Sequence, residues 1–507
     1  MSNTPGTDTH VDEKLKTAMS ESSVESQSNV GPPGEPTPEF LALTRSAKRK
    51  LDLTLIPVMT MFYLLSYLDR TNIGNARVAG LQADLGLTDH QFQIAITILY
   101  VPYICTELPA NLLLKKIGPN ILMPTILTLW GIVVTFQGFV TNYAGLLAVR
   151  FFLGLLEGPM FPGIVLYLSG FYTRGDLSLR IAYFFSSASL AGAFSGLLAA
   201  GISQMDGLGG KKAWEWIFII EGLFTVVVGV VAFFFVPATP RHSKVLSQAE
   251  QDAVILSLER DRPMIGATEK FHPREILRSI TSPHVFLVFL VFFLGGAIFF
   301  GLAIFLPSII RLMQFTPNES QLLSVGPFAT SFVISLISAW ASDRWNRRGA
   351  PLIVLCAMCT AGWALFYGSN DTWTRYGSFF LIVPGVFAAS PIAAAWLSNN
   401  SEPYFRRASS IAFGFMATNF GGILSTWRFP TSEGPRFEKT TIMNMTFAVI
   451  MTLSSVGNIF LLMWLQKRKE KNRDKILAPY VTEKEPDGGE RAWIDLGDRH
   501  PDFKYAL

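Results

Sequence analysis

Long apolar runs alternate with short polar breaks along this chain, on a period far longer than that of a soluble helix or strand. A helix needs about 20 apolar residues to cross a bilayer. Stretches 121–140, 217–236, 285–310, 352–367 and 376–397 qualify with almost no charge. The same pattern predicts about twelve spans, near 51–75, 91–114, 119–140, 144–170, 178–203, 214–236, 284–312, 318–342, 350–368, 374–398, 406–428 and 441–465. A polar break at 237–283 divides them six and six, and its amphipathic stretch 247–259 predicts a short surface helix. The expected fold class is an all-α membrane protein of two six-helix halves, 51–236 and 284–465. Residues 1–50 are expected to be a disordered tail, 237–283 a central loop and 466–507 a second tail.

Basic residues flank alternate loops. Arg45, Lys48, Arg49 and Lys50 precede the first span, and Lys115 and Lys116 follow the second. Arg174 and Arg180, then Arg344, Arg347 and Arg348, then Arg406 and Arg407, fall on the same side, as does the run from Lys467 to Arg473. The excess of Lys and Arg assigns that side and both termini to the cytoplasm. Asn318-Glu-Ser320, a glycosylation sequon, falls in a loop expected outside. The halves also echo one another. Lys115 and Asp343 stand 228 residues apart, and Arg180 and Arg407 stand 227 apart. A common offset points to a duplicated six-span unit.

Composition supports a membrane protein: 50% of residues are apolar and 16% charged, against roughly 25% charged in soluble domains. The net charge of +4 gives no reason to expect nucleic acid. Cys105, Cys356 and Cys359 all lie in apolar spans, and small buried side chains are the simpler reading of the Cys356-x-x-Cys359 pair. No phosphate-binding G-x-x-x-x-G-K-[ST] loop occurs, which argues against ATP as the energy source. No nucleophile–base or metal constellation suggests an enzyme, and no cofactor is expected.

Charges at bilayer depth cost about 2.5–3.5 kcal/mol on insertion scales, so each needs a reason. Asp69, Arg70, Glu107, Arg150 and Glu157 lie within apolar segments, with Glu221 a sixth. Arg150 and Glu157 are seven apart on one helix face, which they share with Gly154 and Gly158, where a second helix can approach closely. A permanently charged arginine offers a planar fork to a carboxylate, and a carboxyl in low dielectric can load and release a proton. The alternative is a set of neutralised pairs, Asp69–Arg150 for example, that only hold helices together. Glu107 and Glu221 read more readily as structural. None of the six histidines is mid-span, so a proton route would run through carboxyl groups. Asn399, Asn400 and Asn419, with Ser390, are candidate cavity residues from the second half, and helix–helix hydrogen bonding is their alternative. Tyr100 and Tyr103 flank Pro102 and could line the same cavity or simply pack. Asp343, Arg344 and Arg348 suit a conformational latch, or plain topology charge.

Several motifs resemble those of a known family. Asp343-Arg344-x-x-Arg347-Arg348-Gly349 is similar to the loop motif of the major facilitator superfamily. Tyr67-Leu-Asp69-Arg70-Thr-Asn72-Ile-Gly-Asn75-Ala76 and Arg150-Phe-Phe-Leu-Gly154-Leu-Leu-Glu157-Gly158 resemble its anion:cation symporter branch. Trp214-x-Trp216-x-Phe218-x-x-x-Glu221-Gly222 and Trp396-Leu-Ser-Asn399-Asn400 do so too. The likeness covers roughly 50–470 and is greatest to the fungal allantoate-permease group, with its nicotinate-permease-like members. Lys115-Lys116 departs from the Asp-Arg of the superfamily motif. The resemblance implies proton-coupled symport of a small organic anion by alternating access, by a monomer in the plasma membrane. It further implies that Arg70 contacts substrate beside Tyr67, that Asp69 and Glu157 carry protons, and that Arg150 is their partner or a second anion contact. Drug–proton antiport is disfavoured because Leu197, not Pro, follows Gly192-x-x-x-Gly196. A sugar porter is the runner-up, from Pro237-x-x-Pro240-Arg241, and a transporter-like nutrient sensor is a further alternative.

Overall fold

A computed structural model describes residues 37–261, 273–345, 347–402, 404–429, 433–434, 436–481 and 489–507. These residues form helices and turns, with no strand among them. Among the described residues, twelve passages of membrane length appear in order, nine of them apolar enough by composition to cross a bilayer. The first six are Pro38–Val78, Asp89–Ile117, Pro119–Gln137, the broken pair Tyr143–Glu157 and Met160–Ser169, Arg174–Ile202, and Ala213–Phe235. The second six are Pro283–Leu312, Pro317–Arg344, Gly349–Gly368, the broken pair Thr372–Phe387 and Ala389–Asn399, Tyr404–Thr426, and Glu438–Lys471. With an even count, Pro38 and Lys471 lie at one end of the bundle, called here the terminal end.

Proline and glycine set the breaks. The fourth passage parts at Gly158-Pro159 because proline lacks the amide that would continue the helix. The tenth parts at Ala388, just past Pro384 and Gly385. Equivalent breaks in the two halves accompany equivalent packing. First packs on fifth, second on fourth and third on sixth; likewise seventh on eleventh, eighth on tenth and ninth on twelfth.

Between the halves, the first span crosses the seventh, the fifth packs on the eighth, and the second meets the eleventh. At Gly74 a side-chain carbon would stand 1.9 Å from the Ile304 carbonyl oxygen, so only glycine permits that crossing. Towards the end opposite the termini, an Arg311 guanidinium NH donates to the Val78 carbonyl, and the rings of His90 and Trp427 stand 5.2 Å apart. Nearer mid-depth, Ser189 and Ser331 lie 3.0 Å apart and the rings of Phe161 and Phe415 4.4 Å apart.

Three expectations change. The first helix begins at Pro38, capped by the Thr37 hydroxyl, instead of near 51. Its added turns pack on the central helix Gln248–Asp261: Ser46 and Lys50 donate to Glu250 at 2.7 and 2.8 Å. Burial pushes the Glu250 carboxyl up, but the Lys50, Ser247 and Ser46 donors outweigh it and hold it down at about 2. The sequon sits in the first turn of the eighth span, not in a loop, and Ser320 is buried with its hydroxyl on the Thr316 carbonyl, 2.7 Å away. Finally, part of the expected tail, 489–507, is packed against the bundle. The remaining tail residues 1–36, and 262–272 of the central loop, lie outside the described residues.

Candidate functional site

Helix periodicity places Tyr63, Ser66, Tyr67 and Arg70 on one face of the first span. All four line a cavity of about 40 Å3 between the halves, room for a few waters. The second half contributes Phe292, Phe299, Phe300, Ser390, Phe415, Thr418 and Asn419. Phe161, Phe185 and Tyr103 complete the first half's wall. Nine of these fourteen side chains are aromatic, so the surface suits a flat, weakly polar body. Eight of the fourteen also carry a hydroxyl, amide or guanidinium, and one of the eight is a cation.

That cation is Arg70. It is buried and ion-paired with Glu157 of the fourth span, which is fully buried. Ser66, one turn before Arg70, donates to the same carboxylate oxygen at 2.8 Å. Tyr103 and Phe300 flank the guanidinium, with ring centroids 4.9 and 5.3 Å from its central carbon. The other Glu157 oxygen has no hydrogen-bond partner among the described residues, and neither has Arg70 Nε. Glu157 thus holds the guanidinium by a single carboxylate oxygen, without the two-pronged geometry the pair could adopt.

Behind this pair lies a second polar layer, facing the third, fourth and sixth spans. Asp69, buried, has neither carboxyl oxygen hydrogen-bonded among the described residues, and it lies in the fields of Glu221, Glu157 and Arg150. Arg150 is buried with its Nε and one terminal nitrogen equally unpartnered. Asn72, three residues past Asp69 and on the same face, donates to Glu221. Ser195 of the fifth span donates to the Asn72 side-chain oxygen at 3.2 Å, and receives from Thr71 at 3.0 Å and Asn75 at 2.5 Å. The spacing argument for the fourth span holds in its glycines. A side-chain carbon on Gly154 or Gly158 would stand 2.1 Å from the Leu99 or 2.5 Å from the Tyr103 carbonyl oxygen.

The structure therefore brings Tyr67, Arg70, Tyr103 and Asn419 to the cavity, with Glu157 on Arg70 and Ser390 on the wall. Tyr100 is buried beside it, its ring 5.6 Å from Phe300, but does not line it. Arg150 stands behind the cavity, and Glu157 pairs with Arg70 in place of the expected Arg150.

Asn399 and Asn400 are not at the cavity. They end the tenth span at the terminal end, and the Asn400 amide is bonded to Ala506. Depth explains the difference: both lie about three turns past Ser390, the wall residue of the same span. Of the latch residues, Arg344 is exposed, and Arg348 donates to Ser342 at 3.0 Å within its own half. The side chains of Asp343, Glu107, Lys115 and Lys116 lie outside the described residues. Ser66, Tyr63 and the Glu221–Asn72 contact were not anticipated. The first two were readable from Arg70, four and seven residues back on the same face. Cys356 and Cys359 are buried and unbridged, and no metal-binding group of His, Cys, Asp and Glu occurs among the described residues.

Known proteins agree on the family. The family profile of the Major Facilitator Superfamily matches residues 59–426. An uncharacterised transporter of Schizosaccharomyces pombe is 34% identical over 461 residues, covering 90% of this chain and 88% of its own. The high-affinity nicotinic acid transporter of Saccharomyces cerevisiae is 31% identical over 475 residues, covering 93% of this chain and 86% of its own. Among solved structures, a D-xylose–proton symporter superposes with a TM-score of 0.60 at 13% identity, over 78% of this chain and 96% of that one. At that identity the likeness concerns the fold.

Proposed function

The chain belongs to the Major Facilitator Superfamily, and from that premise we propose that it carries a flat organic carboxylate, nicotinate foremost, together with protons. It is a multi-pass membrane transporter, and its family and relatives are transporters, not enzymes. The observation that carries the proposal is the Arg70–Glu157 pair at an aromatic-walled cavity.

The pair supplies a coupling rule. A buried guanidinium without an anion costs several kcal/mol, so Arg70 is held either by Glu157 or by another carboxylate. An incoming acid competes with Glu157 for the same fork. Protonation of Glu157 removes the competitor and leaves Arg70 to the substrate, so anion and proton load together. When the proton leaves, Glu157 reclaims Arg70 and expels the anion. Charge counting in the layers behind agrees. Arg70 pairs with Glu157, Arg150 faces Glu157 and Asp69, and Glu221 on Asn72 is a third carboxyl group; one proton among the three leaves the group neutral. Asp69, buried behind the pair with the Trp130 indole beside it, is the group that passes the proton on. Tyr63, Tyr67 and Tyr103 supply flat faces for an aromatic acid, and Asn419 and Ser390 read its ring substituents. The sugar-porter reading loses ground because the wall is built round a buried cation, which a neutral ring gives no reason to keep and a carboxylate does. By the basic-loop rule, the terminal end faces the cytoplasm of a plasma-membrane carrier.

The test is Glu157→Gln in reconstituted vesicles, with labelled nicotinate and a panel of small acids. Glutamine imitates a carboxyl that never loses its proton. Accumulation driven by a pH gradient should stop, while exchange of labelled for unlabelled acid continues. Full pH-driven accumulation in the variant would reduce Glu157 to a structural ion-pair partner.

A further inference from the structure

Residues 489–507 lie on the terminal end of the second half and touch two of its loops and the end of its last helix at once. Between the tenth and eleventh spans, the Asn400 side chain works as a strand edge would. Its amide donates to the Ala506 carbonyl at 2.9 Å, and its oxygen accepts the Ala506 N–H at 2.8 Å. Trp396 Nε1 donates to that same carbonyl at 2.8 Å. In the eighth-to-ninth loop, the Arg348 backbone N–H donates to the Leu507 carbonyl at 2.7 Å. On the extension of the twelfth span, Lys469 donates to the carbonyls of Asp498 and Phe503 at 3.0 and 2.6 Å, with its ammonium 3.9 Å from the Tyr505 ring centroid. Asp498 and Arg406 form a buried ion pair, and the Asp498 N–H donates to the Glu402 carbonyl. Trp493 stacks on buried His500 at 4.0 Å, and Ala492 has no exposed surface.

Backbone recognition by a buried amide and a buried indole, with a charged anchor at Asp498, is how a receptor holds an extended peptide. We propose that this groove is a docking site for the chain's own segment 489–507, and that the segment is a displaceable brace whose release loosens all three contact regions together. These regions are the eighth-to-ninth loop, the tenth-to-eleventh loop and the end of the twelfth span. The first half holds a separate brace of its own, in which the central helix grips the start of the first span through Glu250. Displacement of 489–507 would therefore free one half and leave the other stiff.

The experiment uses the full-length protein in detergent, and a cysteine replacing Ala492 reports docking by its reactivity to a maleimide. Ala506→Pro removes one N–H from the Asn400 contact without touching the bundle. Asn400→Ala removes the receptor side. In both variants the cysteine should react several-fold faster. Amide hydrogen exchange should speed up together in 344–349, 399–402 and 468–474, and stay unchanged in 248–261. A synthetic peptide of residues 489–507 added in excess should restore slow exchange to Ala506→Pro. Two outcomes overturn the proposal: a cysteine that stays protected in both variants, or a released segment with the three contact regions exchanging as before.

Discussion

Arg70 illustrates what single residues can and cannot announce. Its charge in an apolar run makes it a candidate, with Tyr67 beside it, whereas Ser66 and Tyr63 were missed although helix periodicity places them on the same face. Its partner was not legible. Glu157 shares a helix face with Arg150 seven residues earlier, but that face also meets the first span, and only the packing shows that Glu157 reaches Arg70. Asn400 shows the opposite failure. An asparagine at the end of an apolar run reads alike whether it ends a helix or lines a cavity, and here it ends one and grips Ala506. The role given to Arg70 predicts a cost for Arg70→Lys. Lysine keeps the charge but loses the planar fork, and charge-assisted hydrogen bonds contribute about 1.5–3 kcal/mol. Binding of nicotinate, followed by calorimetry, should weaken roughly 10- to 100-fold. Unchanged affinity would mean that the fork is not used by the substrate.

Elements were more legible than contacts, because hydropathy and breaker residues act locally. The seventh, ninth and eleventh spans begin within two residues of their expected starts. The two breaks were not anticipated, although Pro159 and Pro384 stood in plain view. The first helix was misjudged because Pro38–Lys50 is polar, and its partner, the central helix, is distant in sequence. Packing of the third on the sixth span depends on close backbone approach. A side-chain carbon on Gly222 would stand 2.5 Å from the Thr135 nitrogen, with backbone instead of a movable side chain in the way. Gly222→Val should therefore destabilise the first half by about 1–3 kcal/mol, as overpacking does. A lowered midpoint in thermal unfolding of the detergent-solubilised protein checks this, and an unchanged midpoint would mean that the two spans separate at little cost.

At the scale of the whole molecule, two repeated halves place Arg70 at the cavity between them and packed segments at their terminal end. The repeat was readable from a shared offset of charged loop markers, and the matching breaks of the fourth and tenth spans extend it. The brace formed by 489–507 was not readable, since its short mixed-charge sequence has no apolar period and its partners are single side chains. Alternating access requires the site to be reachable from one end at a time. In the proposed cycle, competition of an acid with Glu157 for Arg70 ties each half-cycle to a proton. The central claim is that competition, and the pH dependence of binding tests it most directly. Nicotinate affinity for the purified protein should be measured from about pH 5 to about pH 8 in the parent and in Glu157→Gln. If one proton is taken up with each anion, linkage predicts that parent affinity falls as pH rises, by up to about tenfold per pH unit. Glu157→Gln should bind with nearly constant affinity across the range. A flat profile in the parent, or the same slope retained in Glu157→Gln, would contradict the account.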